Sequence, residues 1–407
     1  MATTARNEKA IPKAALDKSF YLLLGSAFLL TIGNKVYELL LPLIIYEWTH
    51  SSVAMASMRT AELLPNLFLG IFIGVIVDRA NKKKWVLSMI GSQTILLFYM
   101  SYIVRSENTS LLLLFYLIGF LLMTCNYGYF NAQVSVTKLT VPAVQLTSAN
   151  AKFSFIETFI GIMGPGLTGI ILLFSYYNGL LFTAVVYMIS FLLVTQLHLQ
   201  KRERSIQNRH FLSELKDGWH AFYKNKPLAK MSIFILLLNS SMTVVSTTVI
   251  FFAKDDLHLS SSVLAYLLSV EGFGGLAASL LVSRFRRRFG LGILFGLSAI
   301  INALSYLGMY LSFHPVLLTL ALFINGFATT IYSVTAYTFR QEQTPTELIG
   351  RISGITGSIF RIGMPISMAL SGYMILWWGS SSVFLAAFVF NVIIFLFYRK
   401  SMLWRAE

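Results

Sequence analysis

The sequence predicts an all-α polytopic membrane protein with twelve transmembrane helices in two pseudo-symmetric six-helix bundles. Three observations carry this. Of the 407 residues, 56% are hydrophobic and 12% charged, about half the charge of a typical soluble domain. Mean hydropathy is +0.70, and apolar runs of about 20 residues recur from end to end. Finally, a basic turn returns at the same place in each half of the chain.

Breaks at charges and turn residues delimit the segments. They run over 19–46, 53–77, 84–104, 110–134, 151–174, 177–199, 230–252, 261–283, 290–313, 315–338, 350–376 and 381–398. The first, starting near Phe20, is too long for a removed signal peptide and lacks a small-residue cleavage site, so it is expected to be retained. The long polar stretch 200–229 divides residues 1–199, an N-terminal bundle, from residues 230–407, a C-terminal bundle. Within it Phe211, Leu212, Leu215, Trp219 and Phe222 recur at helical spacing, predicting an amphipathic helix on the membrane surface.

Charge orients the chain. With the N-terminus cytosolic, 27 of 32 lysines and arginines fall in inside segments and only Arg105 and Lys254 outside. This distribution predicts cytoplasmic termini in the cell membrane. It also reads the +15 net charge as a membrane-facing collar, so nucleic acid is not a partner. Cys125 is the single cysteine, the six histidines are scattered, and no phosphate-cradling GxxxxGK[ST] is present. No cofactor, metal or catalytic residue is therefore expected.

A shift of 205 residues lays LGIFIGVIVDRANKKK (69–84) over GGLAASLLVSRFRRRF (274–289) and Asn34 over Asn239. Gly164-Pro165 and Gly363-Met-Pro365 mark packing or bending in the fifth and eleventh segments. Gly161, Gly166 and Gly169 extend the first of these into a small-residue stripe. Parallel halves of this kind are a transporter architecture, with the site between them at mid-membrane.

Charges inside the membrane are functional candidates by default. Lys35/Glu38 and Arg59/Glu62 each stand three residues apart, so each pair can neutralise itself on one helix face. Glu157 and Glu271 have no local cation. Burial disfavours the charged form of a lone carboxylate, which can then take up and release a proton. Glu38, Glu157, Glu271 and Glu62 are thus proton-coupling candidates. Arg361 precedes Pro365 by four residues and Glu157 precedes Pro165 by eight, so the two are expected to pair across the cavity, as a coupling element or a static bridge. Asn34, Tyr37, Asn126, Tyr127, Asn131, Asn239, Phe273, Asn325, Tyr332 and Arg361 are the candidate cavity lining, suited to amphipathic ligands.

Gly74-x-x-x-Asp78-Arg79-x-x-Lys82-Lys83 resembles the signature loop of the major facilitator superfamily. Asn81 stands where glycine is common, as the next best residue for positive φ. AELLP (61–65) and PTELIGRISGITGSIFRIGMPISMALSG (345–372) resemble the macrolide-efflux and enterobactin-exporter branch. The resemblance implies the major facilitator fold and a bacterial, monomeric secondary-active exporter in which Gly74, Asp78, Arg79, Lys82 and Lys83 form a conformational switch. The expected partners are a small-molecule substrate, protons and the lipid bilayer. The expected activity is proton antiport of drug-like amphiphiles, with export of a siderophore, another metabolite or a lipid as the alternative. A membrane-embedded enzyme or sensor lacks its chemistry here.

Overall fold

A computed structural model describes residues 18–106, 109–142, 145–198, 211–344 and 349–405. Arg6, Lys9 and Lys13, and the linker basics Lys201 to Arg209, lie outside these residues. So do the surroundings of Gly74 and the side chains of Asp78 and Arg79.

Fourteen α-helices form among the described residues. The first half holds α1 (Lys18–Thr49), α2 (Ser52–Arg79), α3 (Lys82–Arg105), α4 (Leu112–Thr140), α5 (Leu146–Leu172) and α6 (Tyr176–Thr195). A short α7 (Phe211–Lys224) follows. The second half holds α8 (Lys226–Asp255), α9 (Ser261–Phe289), α10 (Leu291–Tyr310), α11 (Pro315–Glu342), α12 (Ile349–Ile359), α13 (Gly363–Trp378) and α14 (Ser380–Arg399). With α12 and α13 taken as one, eleven helices are long and apolar enough to cross a membrane. The long α2 is not among them and carries Arg59, Glu62, Asp78 and Arg79.

Side-chain caps set several starts. The hydroxyls of Ser51, Ser175 and Ser260 and the amide oxygen of Asn225 accept first-turn backbone N–H groups. Asn81 does the same for α3, accepting from Lys84 N–H at 3.1 Å with φ −67°. The expected positive φ is therefore absent there. The residue is an N-cap, for which its short amide is equally suited.

Small residues bring the helices of the second half together. A Cβ on Gly274 would strike the Phe323 carbonyl of α11, and one on Gly326 would strike the Glu271 carbonyl of α9. Backbones can approach this closely in a bilayer only without side chains between them. The glycine stripe of α5 divides its work. Gly164 admits Lys35 of α1, Gly166 and Gly169 face Ser269 and Ala265 of α9, and Gly161 faces open space.

The eleventh span departs from the continuous helix expected over 350–376. It breaks into α12 and α13 at Phe360, Arg361 and Ile362. Pro365 has no N–H, and its ring crowds the carbonyl four residues back, that of Arg361. Tighter bonds replace the lost ones, Arg361 N–H to Ser358 O at 3.1 Å and Met364 N–H to Arg361 O at 3.1 Å. α7 lies against α12, where Phe222 of α7 and Leu228 of α8 bury with Ile352 and Ile355.

The two halves meet chiefly through α2 with α13 and α5 with α9. These contacts lie toward the ends remote from the basic turns, as where Ser52 hydroxyl donates to Gly372 O at 2.9 Å.

Candidate functional site

Between the halves lie two adjoining cavities of about 570 and 550 Å³. Lys35, Glu38 and Arg59 line both. Glu62, Asn34, Tyr37, Asn126 and Glu157 border the first; Glu271, Pro165, Ser279 and Ser333 border the second. Together they form a vestibule extending toward the basic ends of α9 and α11.

Its first-half wall is a chain of opposite charges. Lys35 Nζ lies 2.7 Å from Glu38, Arg59 lies 3.6 Å from the other Glu38 oxygen, and Arg59 lies 2.9 Å from Glu62. The sequence suggests two separate pairs, whereas α1 and α2 pack so that Arg59 bridges them. Glu62 is 2% exposed while Glu38 is about half exposed, so the chain runs from the packed helix interface into the vestibule. Both Lys35 and Arg59 are committed to carboxylates.

Glu157 and Glu271 also line the vestibule. Neither forms an ion pair among the described residues. The expected Glu157–Arg361 bridge is not formed. The break before α13 turns Arg361 onto α4 instead, where its guanidinium stands 5.8 Å from the Tyr127 ring centroid, within cation–π range.

Asparagines organise equivalent positions in each half. Tyr187 hydroxyl donates to Asn34 Oδ1 at 2.6 Å, and Asn34 Nδ2 donates to Asn126 at 3.3 Å. Tyr332 hydroxyl donates to Asn239 Oδ1 at 2.7 Å, and Asn239 Nδ2 donates to the Phe360 carbonyl at 3.0 Å. The second network satisfies an oxygen freed by the broken helix. Asn325 is buried and donates to Asn302 and Ser305, each at 3.2 Å.

Five expected lining residues border none of these cavities: Tyr127, Tyr332 and Arg361, held in the contacts just described, and Phe273 and Asn131. Phe273 is 51% exposed on the outside of α9 and borders none of these cavities. Asn131 is exposed and donates to Tyr127 O of its own helix at 2.8 Å. One residue is 100° of helix rotation, enough to move a side chain from cavity to lipid. Near the signature loop, Lys82 donates to the Val77 carbonyl, and Lys83 donates to Thr195 O at 2.7 Å, tying α3 to the end of α6. Gly363 packs on Ser240 and Pro365 is buried.

The opposite end carries a cluster that the sequence reading left out. Lys254 lies 2.8 Å from Glu47 and 3.2 Å from Ser261. Tyr176 hydroxyl meets Glu47 at 3.1 Å and Ser261 at 2.7 Å, and Tyr46 donates to Asp255 at 3.2 Å. Each bond to Glu47, Tyr46 or Tyr176 from the second half crosses the seam. Lys254 had stood out only as one of two cations on its side of the membrane.

The comparisons agree with this geometry. Macrolide efflux protein A of Streptococcus pyogenes is 25% identical over 384 residues, covering 86% of this chain and 88% of that protein. The staphyloferrin A transporter of Staphylococcus aureus is 22% identical over 303 residues, covering 72% and 74%. The crystal structure of the nucleoside transporter NupG superposes with a TM-score of 0.76 at 15% identity, covering 96% of this chain and all of that one, a likeness in fold. The family model described as Major Facilitator Superfamily matches residues 23–355 and 233–403. Two helical halves around a charged vestibule, together with that match, establish that the chain belongs to the Major Facilitator Superfamily and is a membrane transporter, not an enzyme.

Proposed function

We propose that the protein is a secondary-active exporter of amphipathic small molecules, driven by inward proton flow through alternating access. The observation that carries this reading is the pair Glu157 and Glu271, both on the vestibule wall and neither with an ion pair among the described residues. A carboxylate that faces such a cavity with no cation bonded to it can exchange a proton with the solution entering there. Glu38 and Glu62 are already neutralised by Lys35 and Arg59 and serve as the fixed wall.

In this reading residues 1–199 and 230–407 rock about the site, joined by 200–229, with both termini cytosolic. The cluster around Glu47 and Lys254 closes the outer end, and the switch loop of Gly74, Asp78, Arg79, Lys82 and Lys83 closes the inner end in the alternate state. The working unit is a monomer in a bacterial cell membrane. Similarity to macrolide efflux proteins over most of the chain favours drug-like cargo. Similarity to a staphyloferrin A transporter supports siderophore export as the second reading.

Reconstitution into liposomes with an imposed pH gradient tests the proposal. Macrolides, lipophilic dyes and siderophores are supplied in turn, and flux is measured in both directions. Accumulation against a concentration gradient that collapses with the pH gradient is expected. Equal flux with and without the gradient would remove antiport.

A further inference from the structure

Beside the vestibule, a third cavity of about 290 Å³ enters the second half. It reaches Tyr306 and Met309 of α10, behind the helices α8, α9 and α11 that face the seam. Glu271 lines this pocket and the vestibule alike, and so stands where they join. It is the pocket's only charged residue among the described residues.

The hydrogen-bond bookkeeping of the wall is one-sided. Thr243 spends its hydroxyl proton on Asn239 O at 2.8 Å, and Ser246 spends its own on Thr243 O at 2.8 Å. Thr329 points its hydroxyl proton at Asn302 Oδ1, 3.4 Å away. Asn325 has committed its amide nitrogen to Asn302 and Ser305, and Asn239 is used at both ends. What remains for a ligand is lone pairs on three hydroxyls, the Asn325 carbonyl oxygen and the Glu271 carboxylate. The buried Tyr306 hydroxyl sits beside the Asn325, Ser241 and Asn391 side chains at the pocket's inner end. The remaining wall is apolar, with Met242, Val249, Leu268 and Leu322.

An acceptor-rich wall around one bare carboxylate selects a ligand rich in donors and positively charged. A carboxylate ligand would find no cation there and would face lone pairs. We infer that this pocket is a substrate subsite for a protonated amine on an apolar skeleton, seated on Glu271, with Tyr306 closing its inner end. The volume suits an organic group rather than a bare metal ion, and the methionines adapt to its shape. This inference rests on the vestibule being the transport path, and it names the cargo class that path selects.

The test is binding alone, on purified full-length protein in detergent, by equilibrium dialysis of 4-phenylbutylamine, 4-phenylbutanol and 4-phenylbutyrate. The three share a skeleton and differ in head group. The amine should bind about tenfold more tightly than the alcohol, with the acid weakest. Glu271→Gln should bring the amine to the level of the alcohol and leave the alcohol unchanged. Thr329→Val, which keeps shape and removes one acceptor, should weaken the amine about two- to fivefold; it serves if Glu271→Gln fails to fold. Equal binding of the three probes would overturn the inference. So would an amine preference that survives Glu271→Gln and vanishes in Glu157→Gln, which would move the site to the other wall. No pH gradient enters the measurement, so amine selectivity without proton-coupled flux would leave the pocket standing and remove antiport. Coupled flux without amine selectivity would do the reverse.

Discussion

Lys254 and Glu47 lie 2.8 Å apart across the seam between the two halves, at the end remote from the basic turns. The Lys254 ammonium also stands 5.6 Å from the Tyr46 ring centroid, and Tyr46 and Tyr176 add bonds to Asp255 and Ser261. In the proposed transport cycle this contact closes the outer end. Glu47 is 37% exposed, so the pair alone is worth under about 1 kcal/mol. Glu47→Gln should therefore shift the equilibrium away from the state closed at that end by about two- to fivefold rather than abolish it. Spin labels on the exposed positions Asn178 and His258 read this as a larger long-distance population. An unchanged distance distribution would show that the contact is incidental.

Asn239 holds the broken eleventh span in place. Its replacement by leucine leaves the Phe360 carbonyl without its partner and the Tyr332 hydroxyl with only the Ile235 carbonyl, 3.4 Å away. A buried orphan costs about 1–3 kcal/mol. Asn239→Leu should lower the melting temperature of the detergent-solubilised protein clearly. A melting temperature equal to wild type would mean that the break is held by Gly363 and Pro365 alone.

Glycines of similar sequence context should differ sharply. Gly274→Ala places a Cβ against the Phe323 carbonyl, a backbone atom that cannot swing aside. Overpacking of this kind costs about 1–3 kcal/mol or more, so folded yield and melting temperature should fall. Gly161→Ala meets nothing within 4 Å and should be stable. Comparable loss in both variants would contradict the packing described for α9 and α11.

Asp256, just past α8, accepts from the Ser380 hydroxyl. Burial raises its carboxyl above the usual value of 3.8, with the Ser380 bond opposing. The folded chain therefore keeps this proton at pH values where the unfolded chain has lost it. The resulting stability is present in acid and fades as pH rises through the raised value. Asp256→Asn keeps an acceptor for Ser380 and removes the titration. Its melting temperature should exceed wild type near neutral pH and converge with it in acid; a parallel offset at all pH values would contradict this origin.

Much of the architecture was legible because oil-spanning helices announce themselves in hydropathy and because lysines and arginines mark one face. Asn34 over Asn239 was equally visible, and both prove to accept a tyrosine hydroxyl. Their partners Tyr187 and Phe360 were not, since contact across helices depends on rotation and depth, which apolar periodicity leaves loose. Phe273 and Asn131 fell on the wrong face for the same reason. Pro365 promised a bend, and only the packing of Asn239 against Phe360 shows that the helix breaks there, carrying Arg361 to Tyr127 and away from Glu157. Asn81 was read for its backbone tolerance when its side chain is what α3 uses.

The central claim is that the unpaired carboxylates of the vestibule carry the exchanged proton. The most direct measurement is proton release into weakly buffered solution when a transported amphiphile is added to purified protein. Wild type should release protons in proportion to ligand bound, and the Glu157→Gln/Glu271→Gln double variant, at ligand concentrations raised to offset its weaker binding, should release none. Undiminished release from the double variant would place the proton elsewhere and contradict the account.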